Sequence, residues 1–576
     1  MRAILWSFVA LPWVLTAASC GGEGGGQGGS GNLGGFGNYG GGGAGGSGGT
    51  AGAGGVAGSG GVAGSGGGGG SGGTSGGTGG TTGGTGGTGG TTGGTGGTTG
   101  GTGGTTGGTG GTGGITSPPA TLTKGAPDRI LLKGAVITPS GAITGEVLVE
   151  SKNITCVAAS CSGQPGATGA TVIETNGVIV PGLIDPHNHG LFNIFDETDW
   201  TPKKLYTNHN HWADKNNEPR YSQMVDAKQA LESASGANVA CEMDKFGETK
   251  ALIAGTTSFL VAATSRKCFS SLVRTVDTAY NNLESPSIDP VRTSIAVPSG
   301  AGATTVCNAI TAGDTYVVHV AEGTDGPALN EFTTLSNGAS GCLINSHVTV
   351  VHGTALTATQ FQTMGTANMG LVWSPKSNMF LYNATTNIPA AIAAGVKKIA
   401  LGPDWALGGS VNMLDELRFA DAHDNANWGN ILSTKKIVEM GSIEGARVLG
   451  LEKYIGSLEV AKRADLFVVP GNTSNAYEAV LAATPTTVRI TMVDGRVLYG
   501  DKALQAAGPA NPGCEPLPVC GVDKFLCAAE ATTTDKLNQT YAQYHAALAS
   551  ATKTYDDTVA PAGGPFSPIT SLTKCP

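Results

Sequence analysis

Charge is scarce in this chain. Only 13% of its 576 residues are Asp, Glu, Lys or Arg, and 42 acidic side chains outnumber 33 basic ones. The resulting net charge of −9 argues against a nucleic-acid or anionic-membrane surface. There is no Cys-x-x-Cys pair, so a zinc ribbon and a thioredoxin-type redox site are both excluded. No lysine occurs anywhere from Cys268 to Pro375. The one long apolar run, ILWSFVALPWVLTAA near the N-terminus, is too short and wrongly flanked for a spanning helix.

That run, preceded by Arg2, reads as an export signal over residues 1–20. It ends in Ala17-Ala18-Ser19-Cys20, the small residues before a cysteine that mark a bacterial lipoprotein cleavage box, with Ala17 where leucine is usual. Cys20 is therefore the expected site of lipid attachment. The expected location is the bacterial cell envelope, membrane-anchored through Cys20, or the medium if cleavage is of the ordinary kind. Between residues 21 and 114, 57 positions are Gly and most others Thr, Ser or Ala. Such a segment has no apolar surface to offset its ordering entropy, and residues 21–120 are expected to form a disordered tether. A Gly-rich coil of that length averages roughly 50–60 Å end to end. The ten cysteines that follow Cys20 are an even number in an exported chain, which predicts disulfides. Cys156 and Cys161 are near enough in sequence to bridge locally, and Cys514, Cys520, Cys527 and Cys575 are expected to staple the C-terminal tail.

From about Thr121 the composition turns globular. Residues 121–180 alternate apolar and polar side chains around Gly-containing turns, and the texture returns over 456–505. The two flanks are expected to pair into one small β-domain. The centre, 181–455, alternates helical and strand patterns, as parallel βα units do. Strands are predicted at 178–184, 256–263, 293–297, 316–320, 348–351, 370–373 and 398–401, seven where a (β/α)8 barrel needs eight. The stretch 264–314 has room for two strands but shows one. Residues 191–234 read as an insertion over the barrel mouth, and 506–576 as a cysteine-containing tail with one helix.

The chain holds nine histidines, and five groups of interest sit at the ends of apolar runs. His187 and His189 follow the first, in GLIDPHNHG. His319 ends TYVVH, His352 ends VTVVH, and Asp404 follows KIALGP; Glu322 lies three residues beyond His319. In a parallel barrel all these ends open on one face. Three imidazoles and a carboxylate suffice to hold a transition metal and leave a position open for water. The other histidines lack such a setting. His209 and His211 lie in the insertion and read as lid or surface residues, His347 precedes its strand, and His423 and His545 read as surface.

The pieces GLIDPHNHG, HVAEG, VVHGTAL, VWSPKSNMFLY, IALGPDWALGGSVNMLDELRFA and GARVLGLEKYIGSLEVAKRADLFVV, in that order between about residues 129 and 500, resemble the amidohydrolase superfamily. The likeness is to its branch of cytosine, guanine and S-adenosylhomocysteine deaminases and triazine hydrolases. The resemblance implies an α/β fold, a distorted (β/α)8 barrel with a β-sandwich built from both flanks. It implies His187, His189, His319 and Asp404 as metal ligands, Glu322 and His352 as proton-handling residues, and a proton-accepting role for Asp404. Relatives with two metals bridge them through a carboxylated lysine on the fourth strand. The lysine-free stretch from Cys268 to Pro375 instead points to one divalent metal, zinc being expected and ferrous iron the alternative. Ser374, Asn378 and Trp405 are expected to line the pocket.

The function so implied is hydrolysis of a non-peptide C–N bond in a cyclic amidine or amide small molecule, by deamination through a metal-activated water. The alternatives are an imidazolonepropionase-like or other amide hydrolase, distinguished by ammonia release, and a catalytically inactive surface-displayed binding protein. If the Gly-rich segment is a tether alone, a chain beginning near Thr121 should be soluble and keep full activity. Loss of folding on truncation would overturn that reading.

Overall fold

The computed structural model describes residues 115–262, 266–283, 291–509, 514–529 and 537–575. The export signal, Cys20 and nearly all of the Gly-rich segment lie outside the described residues. Contacts begin before Thr121: Arg489 donates to the carbonyl and hydroxyl of Ser117 at 2.9 and 3.0 Å.

The fold is mixed α/β. Eight parallel strands make its centre: β1 (Leu183–Asp185), β2 (Thr256–Phe259), β3 (Arg274–Thr275), β4 (Val291–Ser294), β5 (Thr315–Val320), β6 (Val348–His352), β7 (Gly370–Trp373) and β8 (Lys398–Leu401). They fall into a three-stranded sheet, β1-β2-β3, and a five-stranded one, β4 to β8 in order. A parallel bridge between Asn188 and Asp404 links the ends of β1 and β8. Every residue of β5 (TYVVHV) and β6 (VTVVH) is buried. A parallel strand covered on both faces needs such unbroken β-branched runs, because alternation would bury polar side chains. The register sets His319 opposite Val351 and Val320 opposite His352. The two histidines therefore reach the same edge from neighbouring strands.

Two expectations shift. The run 178–184 is two elements: Ala170–Pro181 pairs with Leu466–Pro470, while Leu183–Asp185 pairs with Thr256–Phe259. Gly182 divides them, and a Cβ there would meet the Thr257 hydroxyl at 2.2 Å. The strand missing from 264–314 is β3, only two residues long and therefore without readable periodicity.

The flanks supply ten strands to one mixed sheet. Thr121–Thr123, Ala126–Thr138, Gly141–Glu150, Asn153–Ala158 and Ala170–Pro181 come from the first flank. Leu466–Pro470, Ile490–Val493, Arg496–Asp501, Cys514–Val519 and Val522–Cys527 come from the second. The last two belong to the segment expected to be only a tail. The sheet is fastened to the centre by Arg274 of β3, which is fully buried. Its guanidinium reaches Asp465 at 2.7 Å and Asp494 at 3.0 Å. Removing one partner of such a buried pair leaves an uncompensated charge, at a cost of about 3–5 kcal/mol. Helix Tyr541–Val559 packs on helix Ala240–Leu252, where the hydroxyls of Tyr544 and Thr249 meet at 2.7 Å.

The ten cysteines form five disulfides: Cys156–Cys161, Cys241–Cys268, Cys307–Cys342, Cys514–Cys527 and Cys520–Cys575. The local bridge and the stapled tail are as expected; the other two pairs tie down the centre. Cys307–Cys342 brackets β5 and the loop carrying Glu322, closing 35 residues. On chain-entropy grounds such a loop is worth about 4 kcal/mol. The double substitution Cys307→Ser with Cys342→Ser should therefore lower unfolding free energy by about 2–4 kcal/mol in urea titrations. An unmoved midpoint would show that the bridge contributes nothing.

Candidate functional site

The five strand-end groups converge. His187 and His189, both reached through Nε2, lie 3.3 and 3.2 Å from Asp404 Oδ1. The Nε2 atoms of His187 and His319 are 3.0 Å apart. His187, His189 and His319 form one set able to share a cation, and His187, His352 and Asp404 another, the ligating atoms in each lying within 4.8 Å of one another. Glu322 stands beside them, its Oε2 3.7 Å from His352 Nε2. All are buried except His189, which is partly open.

Local backbone puts them there. Asp404 N donates to His187 O at 2.9 Å, and His189 N donates to Asp404 O at 2.7 Å. His352 and Asp404 both take left-handed conformations, with φ of 65° and 73°. That region is uncommon for a residue with a Cβ, and Asp and His are among the types that tolerate it best. Gly402 lets β8 approach β1, since a Cβ there would lie 2.7 Å from that of His187. Beneath the pair, Asp185 accepts from His187 N at 3.1 Å and from Asn188 Nδ2 at 2.7 Å, and Asn193 Nδ2 donates to Asn188 Oδ1 at 3.0 Å. Burial holds the Asp185 carboxyl well above the usual range. Burial also raises Glu416, against the Ser410 hydroxyl, to about 8.

The tautomers decide what the cluster can bind. His319 Nδ1 lies 3.3 Å from the Ser294 carbonyl, which only accepts, so its proton sits on Nδ1 and Nε2 carries a lone pair. His352 Nδ1 likewise faces Asn378 Oδ1 at 2.9 Å, while the amide nitrogen of Asn378 faces Thr385 and Thr386. His187 Nδ1 meets the Ser374 hydroxyl at 2.8 Å. Burial, then the neighbouring imidazoles, holds His187 and His319 well below their usual pKa, that is, neutral. Burial raises Asp404, but the hydrogen bond and charge of His189, with His352 and Ser377, outweigh it and leave it an anion. The Nε2 atoms of His187 and His319 face each other at 3.0 Å, close enough to share a proton or a cation. Neutral imidazoles plus a carboxylate are the donor set of a divalent transition metal, and the outer nitrogens are oriented as such ligands require.

Ser374, Asn378 and Trp405, expected to line the pocket, gather here, and Ser377 and Tyr382 were less visible in sequence. Helix Pro375–Tyr382 with its cap presents Ser374, Ser377, Asn378 and Tyr382 to the site. Ser377 donates to Asp404 Oδ2 at 2.5 Å, and Tyr382 donates to Glu322 Oε1 at 2.7 Å. Their helical spacing on one face was a signal available in SPKSNMFLY. Trp405 packs against His189 with ring centroids 5.8 Å apart, and against Trp200, Trp212 and Tyr221 of the insertion. Its buried indole N–H has no partner among the described residues. His209 is no simple surface residue, its Nδ1 lying 3.8 Å from Glu322. His211 is exposed, as expected, and His347, which directly precedes β6, is exposed too. His423 is half-buried against Trp428, and His545 half-buried against Tyr541.

Residues 309–498 match the model of the amidohydrolase family. The sequence is 32% identical over 166 residues to the 5-methylthioadenosine/S-adenosylhomocysteine deaminase of Desulforudis audaxviator, aligning 27% of this chain with 38% of that protein. It is 32% identical over 143 residues to the S-triazine hydrolase of Gordonia rubripertincta, covering 23% and 29% of the two chains. The matched segments thus span well under half the length of these curated relatives. An adenosine deaminase from Xanthomonas campestris, solved with bound zinc, shares the fold with a TM-score of 0.50 at 19% identity, over 64% of this chain and 92% of that one. Over residues 309–498 the chain is thus similar to the amidohydrolase family, and the solved structure shows a like fold.

Proposed function

We propose that this protein hydrolyses a non-peptide carbon–nitrogen bond in a cyclic amidine or amide, releasing ammonia from a flat nitrogen-containing ring. One observation carries the reading: the ring nitrogens of His187, His189, His319 and His352 and the ionised carboxylate of Asp404 converge at one point, with the Glu322 carboxyl held alongside. The eight parallel strands read as a (β/α)8 barrel distorted between β3 and β4, with the flanking sheet as its sandwich. In a barrel the strand ends carrying these groups form the catalytic face. Deaminases and a triazine hydrolase among the sequence relatives support the bond type.

His187, His189, His319 and Asp404 would hold one divalent cation, with zinc favoured by the imidazole-rich donor set. A cation held there would supply Lewis-acid activation of water, lowering its pKa from about 15.7 toward 7. Asp404, fixed by Ser377, is placed to accept a proton from the attacking water. His352, oriented by Asn378, aims the attack. Glu322, positioned by Tyr382, relays a proton as general base and acid, taking one up as a carboxylate and handing it to the ring or leaving nitrogen. The partnerless indole N–H of Trp405 offers a donor to an acceptor on the substrate. Five disulfides support an exported setting for the domain, consistent with an anchor at Cys20.

Screening purines, nucleosides, pyrimidines and triazines for ammonia release tests the reaction class; turnover without ammonia would move the reading to an amide hydrolase. Elemental analysis of the loaded protein should give about one transition-metal ion per chain, and His187→Ala should lose it along with activity. Two ions per chain would overturn the mononuclear assignment. Glu322→Gln should keep the metal while turnover falls by roughly 10²–10⁴. Metal loss in that variant would make Glu322 a ligand.

A further inference from the structure

The insertion does more than cover the site. Asn208 bridges to Gly323, Thr324 N donates to Thr207 O at 2.6 Å, and His209 N donates to Glu322 O at 3.2 Å. Asn208 Nδ2 also donates to Asp325 at 2.6 Å. So close an approach needs glycine at 323: its φ is +148°, and a Cβ would lie 2.4 Å from Thr207 O. Thr207–Trp212 is thus strapped to the loop carrying Glu322.

The strap turns one side chain onto Glu322. His209 Nε2 lies 2.6 Å from Glu331 Oε1, and its Nδ1 lies 3.8 Å from Glu322 Oε2. The second oxygen of Glu331 accepts from Ala321 N at 2.8 Å. One carboxylate therefore fixes both the ring and the backbone next to Glu322. A carboxylate takes a proton-bearing nitrogen, so Nε2 is protonated. A bare Nδ1 would then set its lone pair against Glu322, whereas a protonated Nδ1 attracts it.

We propose that His209 is a positioning residue for Glu322, an imidazolium clamped by Glu331 whose Nδ1–H holds the orientation and charge of the Glu322 carboxyl. Glu322 then sits between a buried imidazole, His352, and this outer one, with Tyr382 on its other oxygen. The inference rests on reading Glu322 as the proton-handling residue. The groups facing His209 agree with a cationic ring: Glu322 from the loop, and Glu331 and Asp325 from helix Gly326–Asn337 and its cap. Burial lowers the His209 pKa, but the Glu331 hydrogen bond and the charges of Glu322, Glu331 and Asp325 prevail and bring it to about 8.

The test is the titration of His209 in 13C-histidine-labelled, metal-loaded protein, assigned with His209→Ala. Glu331→Gln and Glu322→Gln should each lower the midpoint, the latter by about half a pH unit or more, roughly threefold in proton affinity. Glu322→Asp, which keeps the charge on a shorter arm, should fall between. If only Glu331→Gln moves the midpoint, His209 is a structural tie and the proposal fails. With a substrate found by ammonia release, His209→Ala should lower kcat about tenfold at unchanged metal content. Full activity in Glu322→Gln would sink the reading of the site itself, whereas an inactive Glu322→Gln with an unmoved His209 midpoint sinks only this inference.

Discussion

Two main-chain hydrogen bonds, Asp404 N to His187 O and His189 N to Asp404 O, join the first central strand to the last. Everything at the site hangs on this reciprocal pair. It places a carboxylate and two imidazoles within about a hydrogen-bond length of each other, at the cost of a left-handed Asp404. The geometry depends on bare approach of the strands, because Gly402 has no side chain to push His187 away. The same carboxylate is then fixed from a third direction by Ser377. A carboxylate so bound from backbone and side chain has little freedom left to lose when a cation arrives, which is what preorganisation means in energetic terms.

Much of this was legible in the sequence, for a simple reason. Parallel strands end on one face, so a histidine closing TYVVH and another closing VTVVH must meet if those runs are neighbours. Apolar runs also gave six of the eight central strands directly. The seventh, Leu183–Asp185, was hidden because a continuous β-branched run crosses Gly182, where the chain changes sheets. The eighth, Arg274–Thr275, is too short to carry a period, and its burial depends on Asp465 and Asp494, some two hundred residues away. His209 was unreadable for a related reason. Its partner Glu331 lies 122 residues along the chain, and no local pattern encodes that meeting.

The site has an inner half and an outer half of different origin. The inner half, from His187 to Asp404, rests on strand ends and on the polar face of helix Pro375–Tyr382. The outer half is built by the insertion, whose Trp200, Trp212 and Tyr221 pack over Trp405. Trp212 donates to the Tyr382 hydroxyl at 2.7 Å, and that hydroxyl in turn donates to Glu322. The insertion is thereby wired to the proton-handling carboxyl through Tyr382 and, at the strap, through His209. Changes in this segment would alter the surroundings of Glu322 while leaving the strand ends that carry the histidine cluster in place.

The pairing of Pro181 with Leu466 has a consequence for the order of assembly. A growing chain exposes His187 and His189 early, yet the flank strand that leads to them pairs with a segment made some 280 residues later, and the strand they follow is capped at its end by Asp404. Contacts of such separation form late, because each must first offset the closure of a long loop. The two histidines therefore remain an open pair on unfinished chain through most of synthesis. Any cation that needs the full cluster would be captured only by the completed chain.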